Sequence, residues 1–195
     1  MALRVGCVLM AAGESRRFGG DKLAAELHGR ALLERAMDAA DPALFADRVA
    51  VVSRPETAAR AAARGFRVVI NDRPADGLSR TVRLGTEALA DCDGILYLVA
   101  DQPQLTAETV ARVVARWRLA PDRIAAAAHG QRRGNPCLFP RALFPELRAL
   151  EGDRGGTVVI RAHAARLLLV ETPEAELTDV DTPAALSALA GAGEA

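Results

Sequence analysis

Short, continuous apolar runs alternate with helical patterns along most of the 195-residue chain. Strands that are apolar throughout are buried on both faces, and their alternation with helices is typical of parallel sheets covered by crossover helices. The pattern predicts an α/β fold with a mostly parallel twisted sheet and helices on both faces. The predicted strands cover residues 5–9, 48–52, 66–70, 94–100, 123–128, 137–139 and 166–170.

The segments between these runs predict helices of ordinary length. Pro55, for example, stands where the first turn of a helix needs no N–H. The chain is long enough for one domain with a sizeable core, and nothing in it requires a second. We therefore expect a single domain over residues 1–195, with a frayed tail at 191–195. The predicted helices cover residues 31–40, 55–64, 79–90, 106–119, 141–150, 155–163 and 183–190.

Composition limits the kind of partner and the compartment. Lys plus Arg balance Asp plus Glu at 25 each, so no bulk charge favours nucleic acid or a membrane surface. Three scattered cysteines and three scattered histidines show no metal-ligand spacing, and the odd cysteine count fits a reducing compartment. The first apolar run is too short to span a membrane and has no cleavage-site flank, so we expect a cytoplasmic protein.

The loop after the first strand, residues 10–22, carries the most informative side chains. It holds three glycines, two arginines and Lys22, the only lysine in a chain with 24 arginines. Glycine exposes bare backbone N–H groups to a ligand, and an ammonium binds phosphate as a compact point charge. The loop matches neither G-x-x-x-x-G-K-[ST] nor G-x-G-x-x-G, which argues against a P-loop or a dinucleotide site. We expect a triphosphate site of another design; the alternative is a solvated glycine-rich turn.

Carboxylates at predicted strand ends are candidate metal ligands. Asp101 follows directly on the most apolar strand, and Asp179 and Asp181 follow the last one. Mg²⁺ prefers oxygen ligands and usually takes one or two carboxylates together with substrate phosphates. We expect Mg²⁺ at Asp101, with Asp181 as a second ligand. For Asp101, the alternative is a carboxylate stabilised by the dipole of the helix that follows it. For Asp181, the alternative is that Asp181 or Thr182 caps the last helix.

Two further loops carry small polar groups that could hydrogen-bond a base, a ribose or a second substrate. They are Gly77-Leu78-Ser79-Arg80-Thr81 and Gly134-Asn135-Pro136. For the first loop, a helix cap at Ser79 is the alternative. Ligands of open parallel sheets bind outside the carboxyl ends of the strands. Four loops are expected to meet there, namely 10–22, 71–80, 101–103 and 179–183.

Together these pieces resemble the MobA-like NTP transferases, and most closely the molybdenum cofactor cytidylyltransferase (MocA-type) branch. The opening matches the family pattern L-x-A-G-x-S-x-R-x-G-x-x-K, with its leucine shifted by one residue. Asp101-Gln102-Pro103, Gly134-Asn135-Pro136 and Asp179-Val180-Asp181-Thr182-Pro183 follow in the family's order, so the resemblance covers nearly the whole chain. Ala11-Ala12-Gly13 stands where the guanylyl branch usually has Ala-Gly-Gly, which favours the cytidylyl branch. The residues that match the opening pattern are Leu9, Ala12, Gly13, Ser15, Arg17, Gly19 and Lys22.

The resemblance implies a Rossmann-like nucleotidyltransferase fold and Mg²⁺-dependent transfer of a nucleoside monophosphate from an NTP, with release of pyrophosphate. In the branch most resembled, CTP and the phosphate of molybdopterin are the substrates. The implied catalytic residues are Lys22, Arg17 and Asp101, and the implied metal ligands are Asp101 and Asp181. The implied nucleotide contacts are Met10, Ala11, Ala12, Gly13, Ser15, Arg17, Lys22, Asn71, Gly77, Leu78, Ser79 and Ala100. The implied acceptor contacts are Gln102, Gly134, Asn135 and Pro136.

Two departures from the family pattern fall towards the acceptor. The family segment Gly-Asp-x-Gly-Ala-Arg appears as Gly152 to Thr157 and lacks its arginine, and Asn135 stands where a histidine is often found. The acceptor therefore stays open, and guanylyl or adenylyl transfer to another small phosphate is one alternative. A second alternative is a carrier that binds the finished cofactor and hands it to an apo-molybdoenzyme.

Overall fold

The apolar runs form a seven-stranded sheet in the computed structural model, which describes residues 2–15 and 17–192. The strands are β1 (Val5–Ala11), β2 (Glu26–Leu27), β3 (Arg30–Ala31), β4 (Asp47–Val52), β5 (Arg67–Ile70), β6 (Gly94–Val99), β7 (Ile124–His129), β8 (Arg132–Pro140) and β9 (Leu167–Glu171). Their order in the sheet is β5-β4-β1-β6-β8-β7-β9, and β2 and β3 form a separate hairpin. Every pairing in the sheet is parallel except those that β8 makes with β6 and β7.

β1 lies at the centre of the parallel part of the sheet because it pairs with both β4 and β6. Leu9 stands opposite Ala50 on one side and Leu98 on the other, and all three are fully buried. The loops after β1, β5 and β6 therefore leave from the same edge, and the reversed β8 begins at that edge. The predicted mostly parallel α/β fold is confirmed.

Helices cover both faces of the sheet. They are α1 (Leu32–Ala39), α2 (Pro55–Ala63), α3 (Leu78–Ala88), α4 (Ala107–Arg118), α5 (Phe144–Arg148), α6 (Thr157–Ala162) and α7 (Pro183–Ala192). Leu9 belongs to a core shared with α1, α2 and α4, whereas its neighbour Val8 belongs to a core shared with α3, α5 and α6. This alternation is the two-residue period of a strand buried on both faces. No described helix combines the length and apolar character needed to cross a membrane.

The sequence prediction is wrong at the start of β8. The pattern of glycine, asparagine and proline predicts a loop at 129–136, but β8 begins at Arg132 and runs to Pro140. A tight turn through Gly130, whose φ is +55°, connects it to β7. The register between the two strands then shifts between Ala126 and Ala128. Such an irregularity lets a strand contain glycine and proline, which interrupt a regular ladder.

Shorter elements also differ from the sequence prediction. The β2–β3 hairpin has no apolar run to reveal it, and it turns through His28 and Gly29 with φ values of 50° and 73°. The helix predicted at 141–150 divides into a 3₁₀ turn and the short α5. Residues 191 and 192, predicted as frayed, belong to α7. The rest of that predicted tail, residues 193–195, lies outside the described residues, as does Arg16 of the opening loop.

A methyl group at Gly94 is expected to destabilise the core where β6 meets α4. A Cβ atom there would lie 2.6 Å from Cζ2 of Trp117, whose side chain is fully buried. Overpacking a close-packed core costs ~1–3 kcal/mol. Chemical denaturation followed by the fluorescence of Trp117 should therefore show a lower midpoint for Gly94→Ala. Gly191→Ala is the control, because a Cβ at that exposed helical position meets no atom within 4 Å. Equal midpoints for the two variants would contradict this packing.

Candidate functional site

A cavity of about 590 Å³ opens at the edge of the sheet where β1, β5 and β6 end. Its walls come from the opening loop, the segment 74–78, the end of β6 and the segment 152–153. This is where parallel sheets bind their ligands. The residues predicted from sequence that line it are Met10, Ala11, Ala12, Gly13, Ser15, Arg17, Lys22, Gly77, Leu78, Ala100 and Asp101. The predicted residues outside its lining are Asn71, Ser79, Gln102, Gly134, Asn135, Pro136 and Asp181.

The opening loop is a bare backbone turn held at both ends. It continues β1 at its start, and its far end is fixed by Leu23, which is buried in the core. Ser15 has a left-handed φ of 53°, and its carbonyl accepts a hydrogen bond from the N–H of Phe18. A Cβ at Gly13 would have no atom within 4 Å, so a ligand can approach the backbone there. The loop has the open, donor-bearing surface expected of an anion site.

Lys22 lies between two carboxylates that come from distant parts of the chain. Its Nζ is 2.8 Å from Oδ2 of Asp101 and 3.3 Å from Oδ1 of Asp181. Nη2 of Arg17 is 3.0 Å from the other oxygen of Asp181. The side chain of Lys22 is only 12% exposed, whereas that of Arg17 is 75% exposed. Asp101 and Asp181 thus converge on one cation at the wall of the cavity.

The segment 177–181 is held against the end of β6 by the backbone. The N–H of Val180 donates to the carbonyl of Asp101 at 2.9 Å, and the Val180 side chain is fully buried. Thr182, not Asp181, caps α7, because its Oγ1 accepts from the N–H of Ala185 at 3.2 Å. The Asp181 carboxylate is therefore available to Lys22 and Arg17.

A third acid, Asp179, adds to the negative charge of this region. Burial and the nearby charge of Asp101 raise the pKa of the Asp179 carboxyl, and the charge of Asp181 acts in the same direction. A hydrogen bond from Gln102 and the charge of Lys22 oppose the rise in pKa but do not cancel it. The surroundings of Asp179 thus disfavour its charged form, chiefly because the carboxyl is partly buried.

The donor set fits a divalent cation that shares its coordination with a phosphate. Asp101 and Asp181 already place one oxygen each on a single positive charge. Mg²⁺ takes hard oxygen ligands and needs only one or two carboxylates when substrate phosphates complete its shell. Within residues 2–15 and 17–192, no larger group of His, Cys, Asp or Glu forms a metal cage. Asp101 and Asp181 are thus the side chains that could hold such an ion.

The start of α3 forms another part of the cavity wall. Gly77 has a φ of +92°, and a Cβ there would lie 2.4 Å from the carbonyl oxygen of Gly152. That carbonyl accepts from the N–H of Ser79 at 3.1 Å, and Oδ1 of Asp153 accepts from the N–H of Leu78 at 3.4 Å. The segment 152–153 therefore provides hydrogen-bond acceptors for two backbone N–H groups at the start of α3.

Ser79 and Asn71 are both buried behind this wall. The helix cap predicted at Ser79 is wrong, because Gly77 is the cap residue and the Ser79 hydroxyl makes no capping bond. Asn71 donates to Oγ1 of Thr81 at 3.2 Å and accepts from Nε of Arg80 at 3.0 Å. Asn71 thus fixes the loop before α3, and Thr81 rather than Asn71 lines the cavity.

Comparison with known proteins shows the family to which the chain belongs. A sequence model of the MobA-like NTP transferase domain matches residues 7–167, well over half of the chain. The chain belongs to the MobA-like NTP transferase family. It is 32% identical over 190 residues to nicotine blue oxidoreductase of Paenarthrobacter nicotinovorans, covering 90% of this chain and 91% of that one. It is 30% identical over 190 residues, with the same coverage, to the purine catabolism protein PucB of Bacillus subtilis.

Solved structures of other proteins show the same fold. Rv0371c of Mycobacterium tuberculosis superposes with a TM-score of 0.79 at 27% identity, over 98% of this chain and 100% of that one. The same protein has been solved in complex with manganese, with a TM-score of 0.75 at 25% identity over 96% of this chain and 98% of that one. A nucleotidyl transferase from Methanothermobacter has a TM-score of 0.83 at 20% identity, over 98% of each chain, which shows the fold alone.

The acceptor residues predicted from the family pattern lie beside the cavity rather than on its lining. Gln102 is only 2% exposed, and its Nε2 donates to the carbonyl of Leu177 at 3.4 Å. Gly134, Asn135 and Pro136 belong to the first part of β8, and a Cβ at Gly134 would lie 2.9 Å from the Leu177 side chain. In this structure Gln102 thus connects the loop after β6 to the segment that contains Leu177.

Arg133 is a cation on this side that the sequence prediction misses. Its Nη2 donates to Oγ1 of Thr157 at 2.9 Å, and its Nη1 donates to Sγ of Cys137 at 3.3 Å. Thr157 stands where the family pattern has arginine, so a guanidinium from β8 reaches that position. Asp153 is also missed. The family pattern placed its segment towards the acceptor, but it lies on the cavity wall. An arginine directly before Gly134-Asn135-Pro136 is the signal that could have found Arg133.

Substitution of Gly77 is expected to disturb the cavity wall. Gly77→Ala would place a methyl group against Gly152 in a backbone conformation that L-residues rarely adopt. Separation of the segment 152–153 from α3 should weaken nucleotide binding and lower the melting temperature. Calorimetric titration with CTP and GTP measures the first effect. Gly191→Ala, which lies in α7 outside the cavity lining and whose Cβ meets no atom within 4 Å, should change neither quantity. Wild-type affinity in Gly77→Ala would contradict the close approach.

Proposed function

We propose that this protein transfers a nucleoside monophosphate from an NTP, and in particular CMP from CTP, to the phosphate of molybdopterin. The observation that carries the proposal is the convergence of Asp101 and Asp181 on Lys22, at the wall of a cavity with a glycine-rich backbone. Two carboxylates, a lysine and an open glycine-rich backbone suit a metal-bound triphosphate. A cytoplasmic location suits such a substrate.

The opening loop would bind the triphosphate. Lys22, Arg17 and the backbone N–H groups near Gly13 and Ser15 would neutralise the phosphates and the departing pyrophosphate. Mg²⁺, held by Asp101 and Asp181, would supply charge stabilisation at the reacting phosphate. The manganese complex of the Mycobacterium tuberculosis protein supports a divalent cation in this fold.

The remaining contacts divide between base and acceptor. The base would lie against Met10, Ala11, Ala12, Gly77 and Leu78, with Ala100 at the end of β6 and with Asn71 and Ser79 supporting the wall from behind. The acceptor would approach from Gln102 and from Gly134, Asn135 and Pro136. Its phosphate oxygen is already ionised and needs no strong general base. Positioning and charge neutralisation are therefore the chief contributions of the protein to the reaction.

Three other functions are separated from this one by experiment. Guanylyl or adenylyl transfer to another phosphate keeps the site and changes the substrates, and a cofactor carrier that delivers to an apo-molybdoenzyme needs no turnover. The name of the Paenarthrobacter relative, an oxidoreductase, suggests the third alternative. Pyrophosphate release should be measured with CTP, GTP and ATP, each with and without molybdopterin. A redox assay without NTP runs in parallel, and turnover in it without pyrophosphate release would favour the oxidoreductase. Pyrophosphate release from CTP that depends on molybdopterin supports the proposal. Release from GTP or ATP but not from CTP would contradict the proposed nucleotide specificity.

Loss of Lys22 or of Asp101 should each lower turnover by at least ~10²-fold, the effect of removing one electrostatic stabiliser. Single-turnover assays of Lys22→Ala and Asp101→Ala measure this directly. Glu34→Ala and Arg60→Ala are matched controls, because these residues form a surface ion pair of 3.7 Å between α1 and α2. Near-normal turnover in either site variant would contradict the assignment.

Arg133 is the cation best placed to bind the acceptor. Arg133→Met should raise KM for molybdopterin by ~10-fold or more, because a hydrogen bond to a charged group contributes ~1.5–3 kcal/mol. KM for CTP should change little. Arg132→Met is the matched control, since Arg132 pairs with Glu174 at 3.4 Å. Equal KM values for molybdopterin in the two variants would remove Arg133 from the acceptor site.

A further inference from the structure

The two carboxylates suited to a metal ion already have a cation between them. Nζ of Lys22 lies 2.8 Å from an oxygen of Asp101 and 3.3 Å from an oxygen of Asp181. Arg17 pairs with the second oxygen of Asp181 at 3.0 Å. Two negative side chains thus face two positive ones, and the four charges sum to zero without any ion.

A divalent ion cannot share these oxygens with the lysine as it now lies. Mg²⁺ binds carboxylate oxygens at ~2.0–2.1 Å and demands a near-octahedral shell. An ion bound to both oxygens would enter the gap that the ammonium fills, and like charges at that separation repel strongly. An ion that binds both carboxylates through these oxygens therefore requires Lys22 to leave at least one of them.

Lys22 can leave without unfolding the site. Its backbone is fixed next to the buried Leu23, but its side chain is a flexible four-carbon stem that ends beside the cavity. Of its three donors, two are engaged by Asp101 and Asp181. A triphosphate in the cavity offers this ammonium a denser set of anionic oxygens than the carboxylates do.

We propose that Lys22 closes the metal site in the nucleotide-free protein and opens it when a triphosphate arrives. Divalent metal then binds together with the nucleotide and not before it. This inference rests on the proposed function and adds an order of binding to it. It gives Lys22 two successive partners, first the carboxylates and then the phosphates.

Metal binding without nucleotide tests the first half. Mn²⁺ is titrated into nucleotide-free protein, and the free ion is measured by electron paramagnetic resonance. Lys22→Met, a neutral chain of similar length, should bind Mn²⁺ at least ~10-fold more tightly than the wild type, because a contacting like charge is gone. Arg54→Met is the control, because it also removes one positive charge. Nη1 of Arg54 lies 3.1 Å from Oδ1 of Asp21, which belongs to the same loop as Lys22. This variant should bind Mn²⁺ with an affinity near that of the wild type. Equal or weaker affinity in Lys22→Met would overturn the proposal.

The wild-type protein tests the second half, because Lys22 is its only lysine. Labelling with [15N]lysine gives one side-chain ammonium resonance to follow. Mg²⁺ alone should leave that resonance in place, whereas Mg²⁺ with the α,β-methylene analogue of CTP or of GTP should move it. A shift with Mg²⁺ alone, or no shift with either analogue, would overturn the proposal. Neither experiment requires turnover. Failed transfer with a nucleotide-dependent shift would therefore count against the proposed reaction and not against the order of binding.

Discussion

The direction of the strands is the constraint on which the rest of this molecule depends. β1 pairs in parallel with β4 and β6, so the loops that follow the parallel strands leave from one edge. The reversed β8 begins there as well. The glycine-rich loop, the end of β6 and the start of β8 therefore meet, although they lie far apart in sequence. The composition of the candidate site follows from this edge, because no single loop carries Lys22 together with Asp101 and Asp181.

Charge organises what the sheet brings together. Lys22 is held by two carboxylates, and a third acid beside them has a raised pKa because it is partly buried next to their charge. A buried lysine without these partners would be costly, and so would two adjacent carboxylates without a cation. The arrangement is stable only with a positive charge at its centre. The proposed function depends on whether that charge is the Lys22 ammonium or a divalent metal ion.

The sequence predicts the fold class, the loop 10–22 and the acid after β6 because each rests on a local pattern. Apolar runs reveal buried strands, and a carboxylate directly after such a run must lie at a strand end. The start of β8 escapes this reasoning, since Gly134 and Pro136 read as a loop and the pairing that makes them a strand is non-local. Gln102 and Asn71 escape it too: their partners, Leu177 and Thr81, depend on how separate segments pack. Sequence patterns place residues along an edge, but they do not say which side chains turn towards the cavity.

The hydrogen bond from Val180 to Asp101 joins the two segments that carry the carboxylate partners of Lys22. The family match ends at residue 167, and the segment that carries Asp181 comes after it. That segment packs against the end of β6, a strand inside the sheet. A chain that ended before residue 174 would contain β1, β6 and the glycine-rich loop but would lack Asp181, one of the two carboxylates beside Lys22. The segment after β9 therefore supplies one of the two carboxylate partners of Lys22, and the charge balance at the cavity wall depends on the packing of Val180.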